Sequence, residues 1–543
     1  MRPMTALLQR SLLAAALALI TWMFVVQAWM VDDAYITLRT VDNFVSGHGL
    51  GWNPDERVQA FTHPLWMFCL SALYFFTREG FLTTLALSYV LLLALIATVW
   101  WPLRREGPGK PLLFVGMLVA SKAFFDFTSS GLENPLTVLL VAFFYGTWLS
   151  PAPQDDGARL RRFGRLLFIA ALAFFNRIDT LLLYAPALAW ETVEVVKLTG
   201  RRAIAPLLVG TLPATGWFSF AIVYFGAPFP NTAYAKALDN GVGFAAFFRQ
   251  GIEYFVNGLE WDPATHVIMI LALALALRSR QRAPIVACLG LLLYLTYTLT
   301  IGAGGTHMSG RFFSGPLVLG ALVVLATLPS RRTAAGVAVA VAVLAVLSPG
   351  APVRSAGSRR TLGDKGKGRA GIIDTRWFVH REGAALRLWK KGISWPNHGW
   401  YDQGLKFRVE KEKVKVGGAS GGLPIGYFSY AAGPDKFIID VLGLTDPLLA
   451  RLPMKKGWRW WGGHFLRDVP AGYVESVRKN ANYIVDPDLR AYYDKIRLIT
   501  RGPIFSLGRF RAIYELQTGK FDPLIVRYSA RAGSSSPAPS TLR

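Results

Sequence analysis

Hydrophobic and polar positions divide this chain into two parts with different patterns. Residues 1–350 repeat apolar runs of roughly 15–22 residues, near the length that crosses the roughly 30 Å hydrocarbon core of a bilayer. Residues 350–543 are rich in Lys, Arg and Gly with short aromatic-containing segments, which is typical of a water-soluble chain. The pattern predicts a transmembrane domain over 1–349, a Gly/Pro/basic linker over 350–370 and a soluble domain over 371–543.

Arginine clusters in the short loops predict the topology, because basic residues in short loops mark the cytoplasmic side of a membrane. Arg2 and Arg10 place the N-terminus inside, and every later cluster falls on that side if the chain crosses about eleven times. The C-terminal domain then lies outside. The run at 65–76 is too short to span and is predicted to lie at the outer interface. The predicted crossings are 11–30, 82–103, 111–125, 135–149, two half-length passes within 166–196, 204–225, 265–277, 283–301, 312–329 and 333–348.

Composition restricts the classes of partner. The chain is 52% hydrophobic and 17% charged, and its formal net charge is +25, most of it in the tail. A basic domain outside the membrane favours anionic lipid headgroups, lipid-linked phosphates or an acidic polymer, although a solvated basic surface explains the charge equally well. Nucleic acid is a poor partner for a domain in that place. Cys69 and Cys288 both lie in apolar runs, so we expect neither a disulfide nor a cysteine metal site.

Most of the unusual polar residues fall at the outer ends of the predicted helices. Ionisable groups at membrane depth cost a few kcal/mol each unless they have partners or a function. Taken alone, Asp32 and Asp33 fit a helix end that reaches water, and Arg177 with Asp179 fits an ion pair that holds a helix break. All of these polar candidates lie on one predicted side of the membrane: Asp32, Asp33, Arg39, Glu133, Arg177, Asp179, Asn231, Tyr234, Lys236, His307 and Arg311.

The set suits glycosyl transfer from a polyprenyl-phosphate sugar, in which a phosphate leaves and the transition state resembles an oxocarbenium ion. Asp32 or Asp33 would act as general base or stabilise that transition state. The predicted cytoplasmic side has no nucleotide-binding glycine loop, which disfavours a nucleotide-sugar donor. Candidate ligands of the donor phosphate are Arg177, Lys236, His307 and Arg311, and candidate ligands of the sugar or acceptor are Arg39, Glu133, Asp179, Asn231 and Tyr234.

A series of short polar motifs is spread along nearly the whole chain. They are Val31-Asp-Asp-Ala-Tyr-Ile-Thr-Leu-Arg39, Gly47-His-Gly-Leu50, Trp52-Asn-Pro-Asp-Glu-Arg-Val58, Thr62-His-Pro-Leu-Trp66, Gly131-Leu-Glu133, Asn176-Arg-Ile-Asp179, Pro230-Asn-Thr-Ala-Tyr-Ala-Lys236, Gly310-Arg311, Asp440-Val-Leu-Gly-Leu-Thr-Asp-Pro-Leu-Leu-Ala-Arg-Leu-Pro453 and His464-Phe465. In this order and spacing they resemble the motifs of GT-C membrane glycosyltransferases. More narrowly, they resemble the mycobacterial terminal arabinofuranosyltransferase family and its proteobacterial relatives, including one that arabinosylates type IV pilin.

The resemblance implies the GT-C fold, which is all-α in the membrane, here with about eleven helices, and a mixed α/β domain outside the cytoplasmic membrane. It implies transfer of a sugar, D-arabinofuranose as the most specific choice, from a decaprenyl- or undecaprenyl-phosphate donor to a polysaccharide or glycoprotein acceptor. In that fold the first-loop aspartate is the usual catalytic candidate, and we favour Asp32 over Asp33. Related sequences often carry an acidic residue where this chain has Thr306-His307, so His307 is a candidate phosphate ligand instead.

Metal dependence and two rival functions stay open from the sequence. Asp32 and Asp33 with Glu133 offer oxygen ligands for a divalent cation, although basic groups could neutralise the phosphate without one, so we expect no essential metal. A transporter or flippase of lipid-linked sugars would predict polar residues on both membrane faces or an internal repeat, and the sequence shows neither. A non-catalytic scaffold of an envelope assembly is the second rival, and it would carry out no sugar transfer.

Overall fold

The computed structural model describes residues 3–237, 242–300, 307–354, 369–417, 424–458, 460 and 462–532. Helices account for nearly all regular structure in these ranges. The helices of the first 350 residues are α1 Pro3–Gln27, α2 Asp32–Val45, α3 Pro64–Thr77, α4 Gly80–Leu103, α5 Gly109–Ala120, α6 Lys122–Thr128, α7 Asn134–Trp148, α8 Asp156–Asn176, α9 Leu181–Thr199, α10 Ile204–Phe225, α11 Asn231–Ala237, α12 Phe244–Trp261, α13 Pro263–Ser279, α14 Arg282–Leu299, α15 Ser314–Thr327 and α16 Arg331–Leu347.

The remainder of the described chain is also mainly helical. Its helices are α17 Thr375–Gly383, α18 Ala385–Lys390, α19 Gly399–Val409, α20 Ile425–Ala432, α21 Tyr473–Arg478, α22 Pro487–Arg501, α23 Leu507–Gln517 and α24 Asp522–Ala532. Two short strands, β1 Val414–Gly417 and β2 Phe437–Asp440, pair in parallel, with Val414 opposite Phe437. The mixed α/β character predicted for this part is present, although the sheet is small. The predicted linker over 350–370 lies largely outside the described residues.

Each predicted membrane crossing overlaps helical structure, and the described residues contain several helices apolar enough to span. The crossing predicted at 111–125 is not one straight helix, because it is divided between α5 and α6, which are bent by 80°. By length and composition alone, four helical segments qualify, or up to six if two bent helix pairs each count as one span. Four further apolar helices are shorter, among them α7 and α15. The chain is therefore a multi-pass membrane protein. The predicted break between two half-length passes is present, because α8 ends at Asn176 and α9 begins at Leu181.

Local sequence explains where several helices begin. Asp262 caps α13 by accepting the backbone N–H of Thr265, and Pro263 occupies the first helical position, where no N–H is needed. Asp486 caps α22 in the same way, with Pro487 at its first position. The predicted interfacial run forms α3, which also starts with a proline and leaves Phe76 82% exposed. An aromatic side chain this exposed fits a helix that lies in a membrane interface.

The described chain forms two compact units. The first comprises Met1–Val31, Phe81–Ala214 and Gln250–Trp395. Within it α15 is buried along almost its whole length and packs against α7, α13 and α14. Gly320 of α15 lies against Ala272 of α13, which permits the close approach of these two helices. This unit contains most of the apolar helices that qualify as spans.

The second unit comprises Asp32–Gly80, Thr215–Arg249 and Pro396–Arg543. It therefore combines the predicted first outer loop with most of the predicted soluble domain. The boundary of that domain, at the linker over 350–370, stays a prediction. Inside this unit α20 packs against α2 and α19, around a core that includes Trp52, Phe407 and Phe428. A second core gathers buried side chains of β2, α21 and α22.

Candidate functional site

The predicted acidic pair opens α2 in the second unit. Carboxylates are favourable in the first turn of a helix because the unsatisfied N–H groups there carry partial positive charge. Asp32 also reaches the start of another helix: Oδ2 accepts the backbone N–H of Gly426 at 3.0 Å, and Oδ1 accepts that of Tyr427 at 2.7 Å. Both N–H groups belong to the first turn of α20, so Asp32 caps this helix from outside its own segment.

Burial changes the protonation of Asp32. Desolvation, with a smaller contribution from the neighbouring Asp33, raises the pKa of Asp32 to about 7 against the opposing effect of the two backbone N–H bonds. The carboxyl group is therefore close to half-protonated at neutral pH. A proton on either Asp32 oxygen competes with the backbone N–H bond which that oxygen accepts from α20.

Asp33 has different neighbours. His464 interacts electrostatically with both the Asp33 carboxylate and the Lys236 ammonium group. Burial, with the positive charge of Lys236, lowers the pKa of His464 to about 4, although its bond to Gly462 and the charge of Asp33 oppose the shift. His464 is therefore neutral at physiological pH, and its Nδ1–H donates to the carbonyl oxygen of Gly462 at 3.0 Å. A carboxylate, an imidazole and an ammonium group thus occur together in the second unit.

Arg39 forms a structural centre in this unit. Its side chain is 2% exposed, and its guanidinium donates to the carbonyl oxygens of Trp52 at 2.8 Å, Lys436 at 2.5 Å and Ser429. The same group lies 4.6 Å from the centroid of the Trp52 ring. These contacts favour a role in holding α2 to α20 over the predicted contact with sugar.

Asn231 is likewise buried, at 5% exposure, and its amide donates to the carbonyl oxygens of Gly443 at 2.8 Å and Asp446 at 3.0 Å. Tyr234, one turn later on α11, has Arg451 over its ring at 4.4 Å and lines a small pocket. Tyr234 is partly accessible, so the predicted sugar contact is better placed on Tyr234 than on Asn231.

The first unit contains a separate charged cluster. Glu133 accepts from Arg177 Nη1 at 2.6 Å and from Arg311 Nη2 at 3.3 Å. Arg177 also makes two bonds to Asp179, at 2.7 and 2.9 Å, and the Tyr294 hydroxyl donates to Asp179 at 3.3 Å. Two guanidinium groups therefore face two carboxylates, and the Arg177–Asp179 ion pair considered from the sequence is present. A phosphate that bound Arg177 would compete with these carboxylates.

His307 also belongs to the first unit, and its carbonyl oxygen accepts the backbone N–H of Ile373 at 2.7 Å. Thr306 beside it lies outside the described residues. The predicted phosphate ligands therefore divide between the units, with Lys236 in one and Arg177, Arg311 and His307 in the other. Their convergence on one phosphate stays a prediction.

The candidate oxygen ligands of a divalent cation have other partners in the structure. Among the described residues, no group of three or more His, Cys, Asp or Glu side chains is arranged to hold a metal ion. Asp32 commits both carboxylate oxygens to backbone N–H groups, and Glu133 commits both to arginines. The metal requirement of the reaction stays an open prediction.

The placement of His464 beside Asp33 is the feature that our sequence reasoning missed. His464 entered there only as part of a motif in the tail, more than 400 positions after the acidic pair. The presence of His464-Phe465 among the motifs that carry the family resemblance was the available signal that His464 belongs to the site. Side chains this far apart in sequence become neighbours only through the tertiary fold.

Part of the chain is similar in sequence to two curated proteins of the same name. No family model matches the sequence. It is 28% identical over 244 residues to a terminal beta-(1->2)-arabinofuranosyltransferase of Corynebacterium glutamicum, which covers 41% of this chain and 35% of that protein. A protein of the same name from Mycobacterium tuberculosis is 28% identical over 221 residues, or 38% of this chain and 35% of that protein. The match thus spans about a third of the length of these relatives.

Among solved structures, the chain is similar to ArnT from Cupriavidus metallidurans. The structure with bound undecaprenyl phosphate has a TM-score of 0.46 and 16% identity, covering 81% of this chain and 76% of that one. The apo structure gives 0.46 and 15%, with 82% and 77% covered. The resemblance stated from the sequence motifs is confirmed by the curated relatives: over part of its length, this membrane protein is similar to terminal arabinofuranosyltransferases.

Proposed function

We propose that the chain is a membrane glycosyltransferase that moves a sugar from a polyprenyl-phosphate donor to a glycan or protein acceptor. D-arabinofuranose is the proposed sugar, on the strength of the names of the two curated relatives. The observation that carries the proposal is the grouping of Asp33, Lys236 and His464 in the second unit, within motifs that resemble those of this family. We further propose the cytoplasmic membrane as the location, with the N-terminus inside and the C-terminal domain outside.

The proposed reaction needs a base and a cation. An acceptor hydroxyl attacks the anomeric carbon, a new C–O bond forms there, and the bond between that carbon and the phosphate oxygen breaks. The hydroxyl proton passes to a carboxylate of the acidic pair, and polyprenyl phosphate leaves with the bonding electrons. Lys236 would balance the charge of the departing phosphate. These roles require carboxylate and ammonium groups close together, and the interaction of both Asp33 and Lys236 with His464 supports them.

The charged cluster of the first unit has a second proposed role. Arg311 and Arg177 would bind the donor phosphate only by sharing their N–H groups with Glu133 and Asp179. We propose that these two carboxylates shape the sugar pocket and keep the arginines in place, and that His307 adds a further phosphate contact. The cost of exchanging one anionic partner for another is small compared with that of leaving a guanidinium unpaired.

Sugar transfer can be measured directly. Membranes containing the full chain would receive a radiolabelled polyprenyl-phosphate arabinofuranose and an arabinan oligosaccharide, and the product would be separated by chromatography. We expect transfer in the wild type and its loss in at least one of Asp32→Asn and Asp33→Asn. The exposed Asp402→Asn, on α19, is the matched control and should transfer normally.

Two outcomes would count against the proposal. Full activity in both acidic-pair variants would remove the catalytic role of the pair. Movement of intact labelled donor across a proteoliposome membrane, with no product formed, would favour the flippase instead. Replacing the donor with a polyprenyl-phosphate hexose tests the choice of sugar, because an arabinofuranose-specific enzyme should discriminate against the larger ring.

A further inference from the structure

The two carboxylates that begin α2 leave the helix in different directions. Successive residues of an α-helix point about 100° apart, so neighbouring side chains meet different surroundings. Asp32 accepts two backbone N–H groups of the first turn of α20, and Asp33 interacts electrostatically with His464. The difference in surroundings gives the two residues separate tasks.

Asp32 is built into the scaffold. Each of its oxygens accepts one backbone N–H of α20, at 3.0 and 2.7 Å. Gly426 lies so close that a Cβ there would overlap the backbone oxygen of Asp32. Seven positions later on α2, Arg39 donates to the carbonyl oxygen of Ser429 near the other end of α20. Hydrogen bonds therefore join α2 to α20 at two points, through Asp32 and through Arg39. A proton taken up by either Asp32 oxygen would weaken the contact at Asp32.

The surroundings of Asp33 are assembled by a different buried arginine. Arg467 is 2% exposed, and it donates from Nη2 to the carbonyl oxygen of Ala235 at 2.6 Å and from Nη1 to that of Leu442 at 2.8 Å. Ala235 directly precedes Lys236, and Arg467 follows His464 by three residues. Arg467 therefore holds the segment that carries His464 against the helix that carries Lys236. This arrangement brings Lys236 within electrostatic reach of His464, the imidazole that interacts with Asp33.

We propose that Asp33 is the catalytic carboxylate and that Asp32 is a positioning residue, which places α2 and thereby Asp33. The proposal rests on the proposed function, because it assigns the base within that reaction. It reverses the preference for Asp32 drawn from the sequence. Among the described groups on other elements, His464 interacts electrostatically with Asp33 and also with Lys236, and Asp32 is the neighbour of Asp33 on α2.

Asn and Ala variants at each aspartate separate the two tasks. The full chain in lipid nanodiscs would be assayed for kcat and for KM of the labelled donor, and for its thermal unfolding midpoint. Asp33→Asn and Asp33→Ala should both lower kcat by about 10²–10⁴-fold, the usual contribution of a general base, with little change in KM or midpoint. Neither replacement can accept a proton, so the two should be equivalent.

The Asp32 variants should differ from each other. Asn keeps an oxygen that accepts one N–H of α20, so Asp32→Asn should retain activity within about tenfold of wild type, roughly what one neutral hydrogen bond is worth. Asp32→Ala removes both bonds and should lower the unfolding midpoint as well as kcat. Rescue by Asn at position 32, but not at position 33, is the signature of a positioning role.

The opposite pattern would overturn the assignment. Asp33→Asn with near wild-type kcat, or Asp32→Asn as inactive as Asp32→Ala at an unchanged midpoint, would make Asp32 the base. Absence of transfer in the wild type would instead refute the proposed function, and the catalytic assignment with it. The anchoring of α20 is measured independently, because Asp32→Ala should lower the midpoint and Asp33→Ala should not. Equal midpoints for those two variants would refute it.

Discussion

Replacing Glu133 with Gln tests whether a buried carboxylate holds the charged cluster of the first unit together. Two guanidinium groups, of Arg177 and Arg311, are balanced by the carboxylates of Glu133 and Asp179. The Glu133 side chain is 1% exposed, so Gln leaves one buried positive charge unbalanced. Removing one partner of a buried ion pair costs about 3–5 kcal/mol. We expect about 3 kcal/mol, because the Gln oxygen still accepts an N–H.

Thermal unfolding of the detergent-solubilised chain, followed by tryptophan fluorescence, measures this loss as a lower midpoint. Combining Glu133→Gln with Arg311→Met restores the charge balance and should recover part of the stability. Glu475→Gln is the matched control, because it removes a half-exposed ion pair with Lys479 and should leave the midpoint unchanged. If Glu133→Gln unfolds at the same midpoint as this control, the carboxylate does not hold the cluster and the reasoning is wrong.

Three further predictions concern the second unit. Arg39→Met removes the guanidinium donor of three buried carbonyl groups and should lower the unfolding free energy by about 3 kcal/mol in chemical denaturation, with Lys restoring part of it. Gly426→Ala should prevent α20 from seating on α2 and lower the thermal midpoint, whereas Gly216→Ala in α10 has open space around the new methyl group and should not. Burial, with the nearby Glu56 carboxylate, raises the pKa of Asp446 from 3.8 to about 7. The protonated Asp446 therefore contributes to the free energy of unfolding fully below pH 3.8, and this contribution is lost as pH rises through about 7. Asp446→Asn cannot titrate and should flatten that decline in midpoint-against-pH measurements, and an unchanged slope would contradict the pKa.

The positions of the apolar helices follow from the sequence. A helix that crosses or lines a membrane needs a continuous apolar run, and such a run is a local property that can be seen without knowledge of the fold. Arginines and prolines that lie between the apolar runs mark where the runs end, and these residues are also recognised from the local sequence alone. The break at Asn176–Asp179 was predicted because charged residues interrupt an apolar run there, and it is where α8 ends.

The roles of the polar residues do not follow from the sequence in this way. Arg39 and Asn231 stood among the candidate ligands because they are polar residues in membrane-edge motifs, yet both are buried and bonded to backbone carbonyl groups. A motif that fastens two segments and a motif that binds substrate contain the same residue types. Burial and partners separate them, and both are set by residues far away along the chain.

The sequence by itself determined that this is a multi-pass membrane protein with an acidic pair shortly after its first apolar run, and it placed the motifs that resemble arabinofuranosyltransferases. Those conclusions need only local composition and order. That the pair begins a second helix, α2, and does not end the first was decided by the fold. Tertiary structure alone decided what each carboxylate meets, because Gly426, Tyr427 and His464 reach the pair from about 400 residues away. Adjacent aspartates with equal chemistry thereby acquire different neighbours, and the surroundings of each set its task.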